Sequence, residues 1–325
     1  MDAFARNLNY VRISVTDRCN YRCRYCMPES GVEWIAHDKI LSYEDIFFLI
    51  EILKSSGVKK IRFTGGEPLV RKGIIPFLEK VSAAYPELQI ALTTNGLSLE
   101  RHAERLSLMG LSSINVSLDT LNPRKYAFMT RGGVLQGVLN GLEALAAFRK
   151  NCVDTELKMN AVLIRSFNDD EADGLIEYAR RKGMLLRFIE FMPLDDGVWR
   201  EESFIPFCEV LSGLTNSERW RPDNRGGDNS AGPARYYVNE VTGQRLGIIS
   251  AVSQHFCSFC NRLRITSTGE ARSCLFSGTQ IPLADALRGR DQEEVSKRLC
   301  RAALLKPEVG MSSHRDQGRM YKIGG

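Results

Sequence analysis

The chain has 325 residues, 43% of them apolar and 26% charged, a balance that suits one large α/β barrel with an extension or two ordinary domains and excludes a disulfide miniprotein or a disordered chain. Lys plus Arg at 44 against Asp plus Glu at 39 leaves +5, which demands no nucleic-acid partner yet permits a local anion pocket. No apolar run approaches the ~18–20 residues that span a bilayer, and Met1-Asp2-Ala3-Phe4-Ala5-Arg6 lacks the order of a secretion signal, so a cytoplasmic chain without a membrane partner is expected.

From Tyr10 to Met192 short β-branched runs alternate with segments of helical period, the pattern of βα units around a parallel sheet. Six strands are predicted, ending near Val15, Thr64, Thr93, Leu118, Leu163 and Phe191. Between them apolar residues recur at three- and four-residue intervals, as in Ile46-Phe47-Leu49-Ile50-Leu53. Ser42 with Asp45, and Asn168 with Glu171, read as helix N-caps, and Gly57 and Gly183 as helix ends. Six right-handed units make three-quarters of a TIM-like barrel, open on one flank. After Pro193 the rhythm breaks. Residues 224–233 read as a surface loop, and a smaller α+β region follows, with a strand at Arg245–Ile249, a helix from about Leu283 and a Gly324-Gly325 end. The expected division is 1–200 for the partial barrel and 201–325 for the region that closes its open side.

Nine cysteines without an export signal point to ligation or reactivity instead of disulfides. Six are grouped: Cys19, Cys23 and Cys26 in the loop after the first strand, then Cys257, Cys260 and Cys274; Cys152, Cys208 and Cys300 stand alone, without an assigned role. The first group can cap three irons of a cubane and leave the fourth iron without a protein ligand, whereas zinc would need a fourth ligand that is not nearby. In the second group His255 can complete a Cys₃His zinc site, so iron and zinc both stay open there.

The rim motifs continue along the chain. Thr64-Gly65-Gly66-Glu67-Pro68 reads either as a tight turn or as a backbone approach to a ligand ammonium with Glu67 orienting it. Thr93-Thr94-Asn95-Gly96, Ser117-Leu118-Asp119 and Phe191-Met192-Pro193 offer hydroxyl, carboxylate and thioether groups, with Met192 equally readable as core. Arg12, Lys60, Arg62, Lys158 and Arg187 alternate into the barrel, and Arg262 and Arg264 share one strand face beside the second cysteines. Inward cations on parallel strands cost desolvation energy unless an anion, or a buried carboxylate, meets them. A triphosphate is such an anion.

With Tyr25 before its third cysteine, the CxxxCxxC loop resembles the signature of radical S-adenosylmethionine (SAM) enzymes. Arg12 to Cys19, Arg62 to Leu69, Lys158-Met159-Asn160, Arg187 to Pro193, the Cys257 to Arg264 block and the double-glycine end together resemble the GTP 3′,8-cyclase family of molybdenum-cofactor biosynthesis over nearly the whole chain. Only 247–253 and 319–322 look unusual beside that pattern. The resemblance implies a radical SAM lyase with two [4Fe–4S] clusters, on Cys19, Cys23 and Cys26 and on Cys257, Cys260 and Cys274. It implies SAM contacts at Tyr25, Gly66, Ser117 and Met192, and GTP contacts at Arg12, Arg62, Thr93, Lys158, Arg262 and Arg264, with Lys60 and Arg187 as weaker additions. An adenosyl radical would take hydrogen from C3′ of GTP, the ribose carbon would add to C8, and an electron and a proton would complete the product. An unidentified electron donor, hand-over to cyclic pyranopterin monophosphate synthase and compatibility with a homodimer follow from the same resemblance. A radical SAM peptide-modifying enzyme is the alternative, although it typically needs more C-terminal cysteines. A zinc-bearing nucleic-acid binder would explain CxxC with arginines but not the rim motifs.

Overall fold

The computed structural model describes residues 1–148, 155–194, 198–223 and 232–310. Six strands run parallel in chain order: β1 (Tyr10–Ser14), β2 (Lys60–Thr64), β3 (Gln89–Thr94), β4 (Ser113–Ser117), β5 (Glu156–Leu163) and β6 (Leu185–Glu190). Each ends within a residue of its expected place. The intervening helices are α1 (Tyr43–Ser55), α2 (Ile74–Ala84), α3 (Leu99–Leu108), α4 (Pro123–Thr130), α5 (Leu135–Phe148) and α6 (Ala172–Arg181).

The alternation along β2 shows how the wall is built. Ile61 and Phe63 are fully buried, with Phe63 edge-on to Phe77 of α2 at 5.7 Å, while Lys60, Arg62 and Thr64 line the interior cavity. An ordinary barrel fills that interior with layers of branched apolar side chains. Here the inward positions are polar on strand after strand, which opens a site in place of a core.

α1 starts at the expected capping box, Ser42 accepting from the Asp45 N–H and Asp45 returning the bond, and Gly57 (φ 86°) and Gly183 (φ 61°) follow α1 and α6 in left-handed conformation. The Asn168 cap is corrected. Its side chain is fully buried and accepts from the Ile164 N–H while its amide donates to the Asp119 and Val162 carbonyls, so it staples two rim loops instead of capping a helix. Glu171 accepts from Thr120 Oγ1 and the Leu121 N–H, across the same rim.

The later part of the chain comprises α7 (Phe207–Ser212), β7 (Trp220–Pro222), β8 (Arg235–Asn239), β9 (Arg245–Ile249), β10 (Arg262–Ile265), β11 (Glu270–Arg272), β12 (Ile281–Pro282), α8 (Ala284–Arg288) and α9 (Gln292–Leu304). It does not build a sheet of its own. β9 pairs parallel with β6 and β10 pairs parallel with β1, so the sheet order is β12-β11-β10-β1-β2-β3-β4-β5-β6-β9-β8-β7. Both flanks of the six-stranded barrel are thereby extended. The helix expected from Leu283 is two, broken at Gly289–Asp291, where Asp291 caps α9 by accepting from the Glu294 N–H. Of the expected loop at 224–233 only Gly232 and Pro233 lie within the described residues. Among the described residues no helix is long and apolar enough to cross a membrane.

Candidate functional site

One cavity gathers the two cysteine groups, which stand more than two hundred residues apart in sequence. Cys19, Cys23 and Cys26 enter it from the loop after β1, and Cys257, Cys260 and Cys274 from the segments around β10 and β11. Tyr25, Gly66, Ser117 and Met192 line it, as do Arg12, Arg62, Thr93, Lys158, Arg262, Arg264, Lys60 and Arg187. Every residue singled out as a site candidate therefore faces one space. Met192 is only partly buried, which separates it from a core methionine. Cys208 and Cys300 are exposed and take no part, and Cys152 lies outside the described residues.

The first cysteine loop is wrapped tightly: the N–H groups of Cys26 and Met27 both donate to the Cys23 carbonyl. Cys19 Sγ accepts from the Tyr21 N–H at 3.4 Å and from Asn95 Nδ2 at 3.8 Å. Burial pushes the Cys19 thiol up to about 11 and Cys23 well above the ordinary thiol value. Such buried sulfurs ionise only when a cation compensates them.

Gly65 and Gly66 serve this loop in a way the turn motif did not suggest. A Cβ on Gly66 would stand 2.3 Å from the Arg18 carbonyl oxygen, and one on Gly65 2.6 Å from that of Thr16. The glycines let the β2 rim pack against the cysteine loop. Glu67, which lines the cavity, also has a structural part. Its carboxylate is buried and accepts from the N–H groups of Leu69 and Asn95 and from Thr94 Oγ1, so it ties the β2 rim to the β3 rim. Burial pushes it up to about 7. Asp119 plays the parallel part at the β4 rim, accepting from Tyr25 Oη at 2.7 Å and the Val162 N–H at 2.8 Å, and burial raises it to about 6.

Deeper in, the wall is cationic. Among the described residues eight Lys and Arg line the cavity against two carboxylates, Glu67 and Asp119. Arg62 is held in place by donating to Tyr10 Oη, the Leu92 carbonyl, Thr93 Oγ1 and Ser113 Oγ. Arg187 donates to Asn160 Oδ1 at 2.9 Å, and Lys158 pairs with Glu156 at 2.5 Å. Burial and then mutual repulsion weaken the charged forms: Lys158 falls to about 8 with Arg187 beside it, and Arg264 to about 10 with Arg262 beside it. A desolvated group of like charges is stabilised by an incoming polyanion.

The second cysteine group lies against this positive wall. Burial alone would raise the Cys260 thiol, but Arg262 and Lys306 outweigh it and bring it to about 6. Cys257 Sγ accepts from the Gly310 N–H at 3.4 Å, and a Cβ on Gly310 would stand 2.6 Å from Cys274 Sγ and 4.0 Å from Cys257 Sγ. The ring of His255, the rival zinc ligand, lies with Nδ1 3.0 Å from the Ala251 carbonyl oxygen.

Comparison with known proteins meets this geometry from outside. Residues 13–179 match the Radical SAM superfamily, and residues 184–311 match the family described as Molybdenum Cofactor Synthesis C. A GTP 3′,8-cyclase of Geobacter sulfurreducens is 42% identical over 100% of this chain and 99% of its own, and one of Syntrophomonas wolfei is 42% identical over 100% of both. The chain belongs to the GTP 3′,8-cyclases of the radical SAM superfamily. The crystal structure of Streptococcus suis SuiB bound to S-adenosylmethionine shares the fold, with a TM-score of 0.60 at 14% identity over 91% of this chain and 68% of that one. The partial radical SAM barrel expected from the strand rhythm is thus the fold.

Membership in the superfamily brings SAM and one [4Fe–4S] cluster. The first cysteine loop fits the cluster. Three cysteines with gaps of three and two share a glycine-packed loop, and Cys19 Sγ already accepts N–H bonds of the kind a cluster thiolate takes. The second triad brings three thiols of the same kind, and Gly310 packs closely on two of them, its N–H toward Cys257 Sγ and its Cα toward Cys274 Sγ.

Sequence reasoning missed several members of the cyclase wall. Tyr10 lies beneath the cations, and Arg62, Arg12 and Lys60 pull its phenol down to about 7 against the opposing effect of burial. Asn115 on β4 is 3% exposed, lines the cavity and has a buried Oδ1 that accepts no protein hydrogen bond. Lys306, 42 residues beyond Arg264, joins from the far end of α9. A tyrosine opening a strand and an asparagine within one carry no local signal of function. Only the inward alternation of β4, Ser113-Asn115-Ser117, could have pointed to Asn115.

Proposed function

We propose that this chain converts GTP to (8S)-3′,8-cyclo-7,8-dihydroguanosine 5′-triphosphate, with SAM and GTP held side by side between two cysteine-bound [4Fe–4S] clusters. The observation that carries the reading is the cavity itself, which is lined by two cysteine triads and by a set of buried cations. Cys19, Cys23 and Cys26 would hold the cluster that chelates SAM; Cys257, Cys260 and Cys274 would hold the second. When bound and reduced by one electron, SAM on its cluster would supply the radical chemistry that removes hydrogen from C3′ of GTP and closes the C3′–C8 bond, with an electron and a proton completing the product.

The chain's own part is placement. Arg12, Arg62, Thr93, Lys158, Arg262 and Arg264, with Lys60 and Arg187, would grip the triphosphate, and Arg62 is pre-set by its four acceptors, so little ordering is left for the moment of binding. Tyr25, seated by Asp119, would meet SAM together with Gly66, Ser117 and Met192. Residues 1–200 would then be the SAM-binding barrel and 201–325 the part that brings the second cluster to it. An external one-electron donor, hand-over of the product to cyclic pyranopterin monophosphate synthase, a cytoplasmic location and a homodimer belong to the same reading.

Anaerobic reconstitution tests it. Wild type should bind about eight irons with matching sulfide and cyclise GTP, and a Cys257→Ser, Cys260→Ser, Cys274→Ser triple variant should bind about four and still cleave SAM. An unchanged count in the variant, or zinc in place of the lost metal, would remove the second cluster.

A further inference from the structure

Arg6 precedes β1, belongs to no element of the sheet and is only 6% exposed. A buried guanidinium is costly unless all five N–H groups find acceptors. Here they do. Nε donates to Asp2 Oδ2 at 2.5 Å, Nη1 to the carbonyls of Cys257 at 2.7 Å and Glu308 at 3.4 Å, and Nη2 to those of Pro307 at 2.9 Å and Lys306 at 3.3 Å. Asp2 is buried with it, and its Oδ1 accepts from the N–H groups of Phe4 and Arg6.

One side chain therefore reads three consecutive carbonyls after α9 together with the carbonyl of a cluster cysteine. The segment it holds ends on the second cysteine group. Lys306 Nζ donates to the carbonyls of Arg262 at 2.8 Å and of Ser273, next to Cys274, at 2.6 Å. Four residues on, the Gly310 N–H meets Cys257 Sγ and its Cα faces Cys274 Sγ. Residues 306–310 thus form one wall around these sulfurs, and Arg6 is the clasp between that wall and the Cys257 backbone. Backbone N–H bonds to cluster sulfurs and exclusion of water set whether a cluster forms and at what potential.

We propose that Arg6, seated by Asp2, is the positioning residue that holds segment 306–310 against Cys257 and Cys274 and so governs assembly and potential of the second cluster. The metal consequence rests on the two-cluster reading above; the clasp itself does not. Lysine cannot replace it, because a single ammonium has three donors, too few for the five acceptors that Arg6 meets.

The test uses the full chain as wild type, Arg6→Met and Gly310→Ala, measuring hydrogen exchange by mass spectrometry, iron content after anaerobic reconstitution, the midpoint potentials of the clusters and reductive cleavage of SAM. In Arg6→Met exchange over 307–310 should accelerate about tenfold or more while peptides of α1 to α3 stay unchanged, iron should fall from about eight to about four, and SAM cleavage should persist. Gly310→Ala, which places a methyl against Cys274, should lose or shift the same cluster without loosening 306–308. Unchanged exchange over 307–310 in Arg6→Met overturns the clasp whatever the iron count, and so does acceleration throughout the chain, which would mark a general stability role. Local acceleration with about eight irons and an unchanged second potential overturns the link to the cluster. If wild type itself binds about four irons, the two-cluster reading fails, while the exchange measurement still decides the clasp.

Discussion

Lys158 shows what a single inward cation contributes. Burial, with Arg187 beside it, lowers it to about 8 although Glu156 pulls the other way. Tyr10, drawn to about 7, stands in the same field. A triphosphate stabilises the ammonium of one and the neutral phenol of the other, so both groups take up protons when GTP binds above pH 8. Affinity should therefore fall as pH rises from about 7 through about 8. Calorimetry at pH 8.5 in two buffers of different protonation enthalpy should show uptake on the order of one proton per GTP. Lys158→Met should reduce that uptake and Lys158→Met with Tyr10→Phe should abolish it; heats independent of buffer in wild type would contradict this account. At this scale the sequence revealed Lys158, because a cation in an apolar parallel strand is conspicuous, but hid Tyr10, because an aromatic at a strand end ordinarily reads as core.

Elements place these side chains by their pairing. β9 was recognisable from its apolar run, yet its parallel partnership with β6 links segments some sixty residues apart and leaves no local trace. That pairing sets Gly247 opposite Arg187, and a Cβ there would lie 2.7 Å from Arg187 Cγ and 3.1 Å from Tyr236 Cε1. Cγ is near the root of the side chain and cannot swing clear cheaply, so Gly247 shapes the path of Arg187 into the cavity. Gly247→Ala should raise KM for GTP about tenfold, the scale of one charge-assisted hydrogen bond, with iron content and SAM cleavage unchanged. Equal KM values would show that Arg187 has another route. The segment 247–253 that departed from the family pattern contains this contact. Beyond it, Glu190 accepts from the N–H groups of Phe207, Val252 and Ser253, so the end of β6 anchors the loop that leads to Cys257.

For the whole molecule, segments from the first strand to the residues after the last helix line one cavity. Gly310, the last described residue, lines it, and fifteen residues follow, the last of them Gly325. The double-glycine end lies outside the described residues; fifteen residues extend up to roughly 50 Å and glycine passes through crowded space most readily, so this end is expected to thread into the GTP pocket. Deleting Gly324 and Gly325 should leave iron content and SAM cleavage intact and abolish cyclisation of GTP; undiminished product formation would remove that role.

Local chemistry determined what could be read from the chain alone. Gaps of three and two residues make a cluster loop, period-two alternation turns Arg62 and Lys158 inward, and Ser42 with Asp45 opens a helix, each within a few residues of backbone. Tertiary structure decided which of these meet. Only folding puts β10 beside β1, Gly247 beneath Arg187, and Arg6 around the carbonyls of 306–308, because contacts between distant segments follow from packing and desolvation of the assembled sheet, and no short stretch of sequence carries their period.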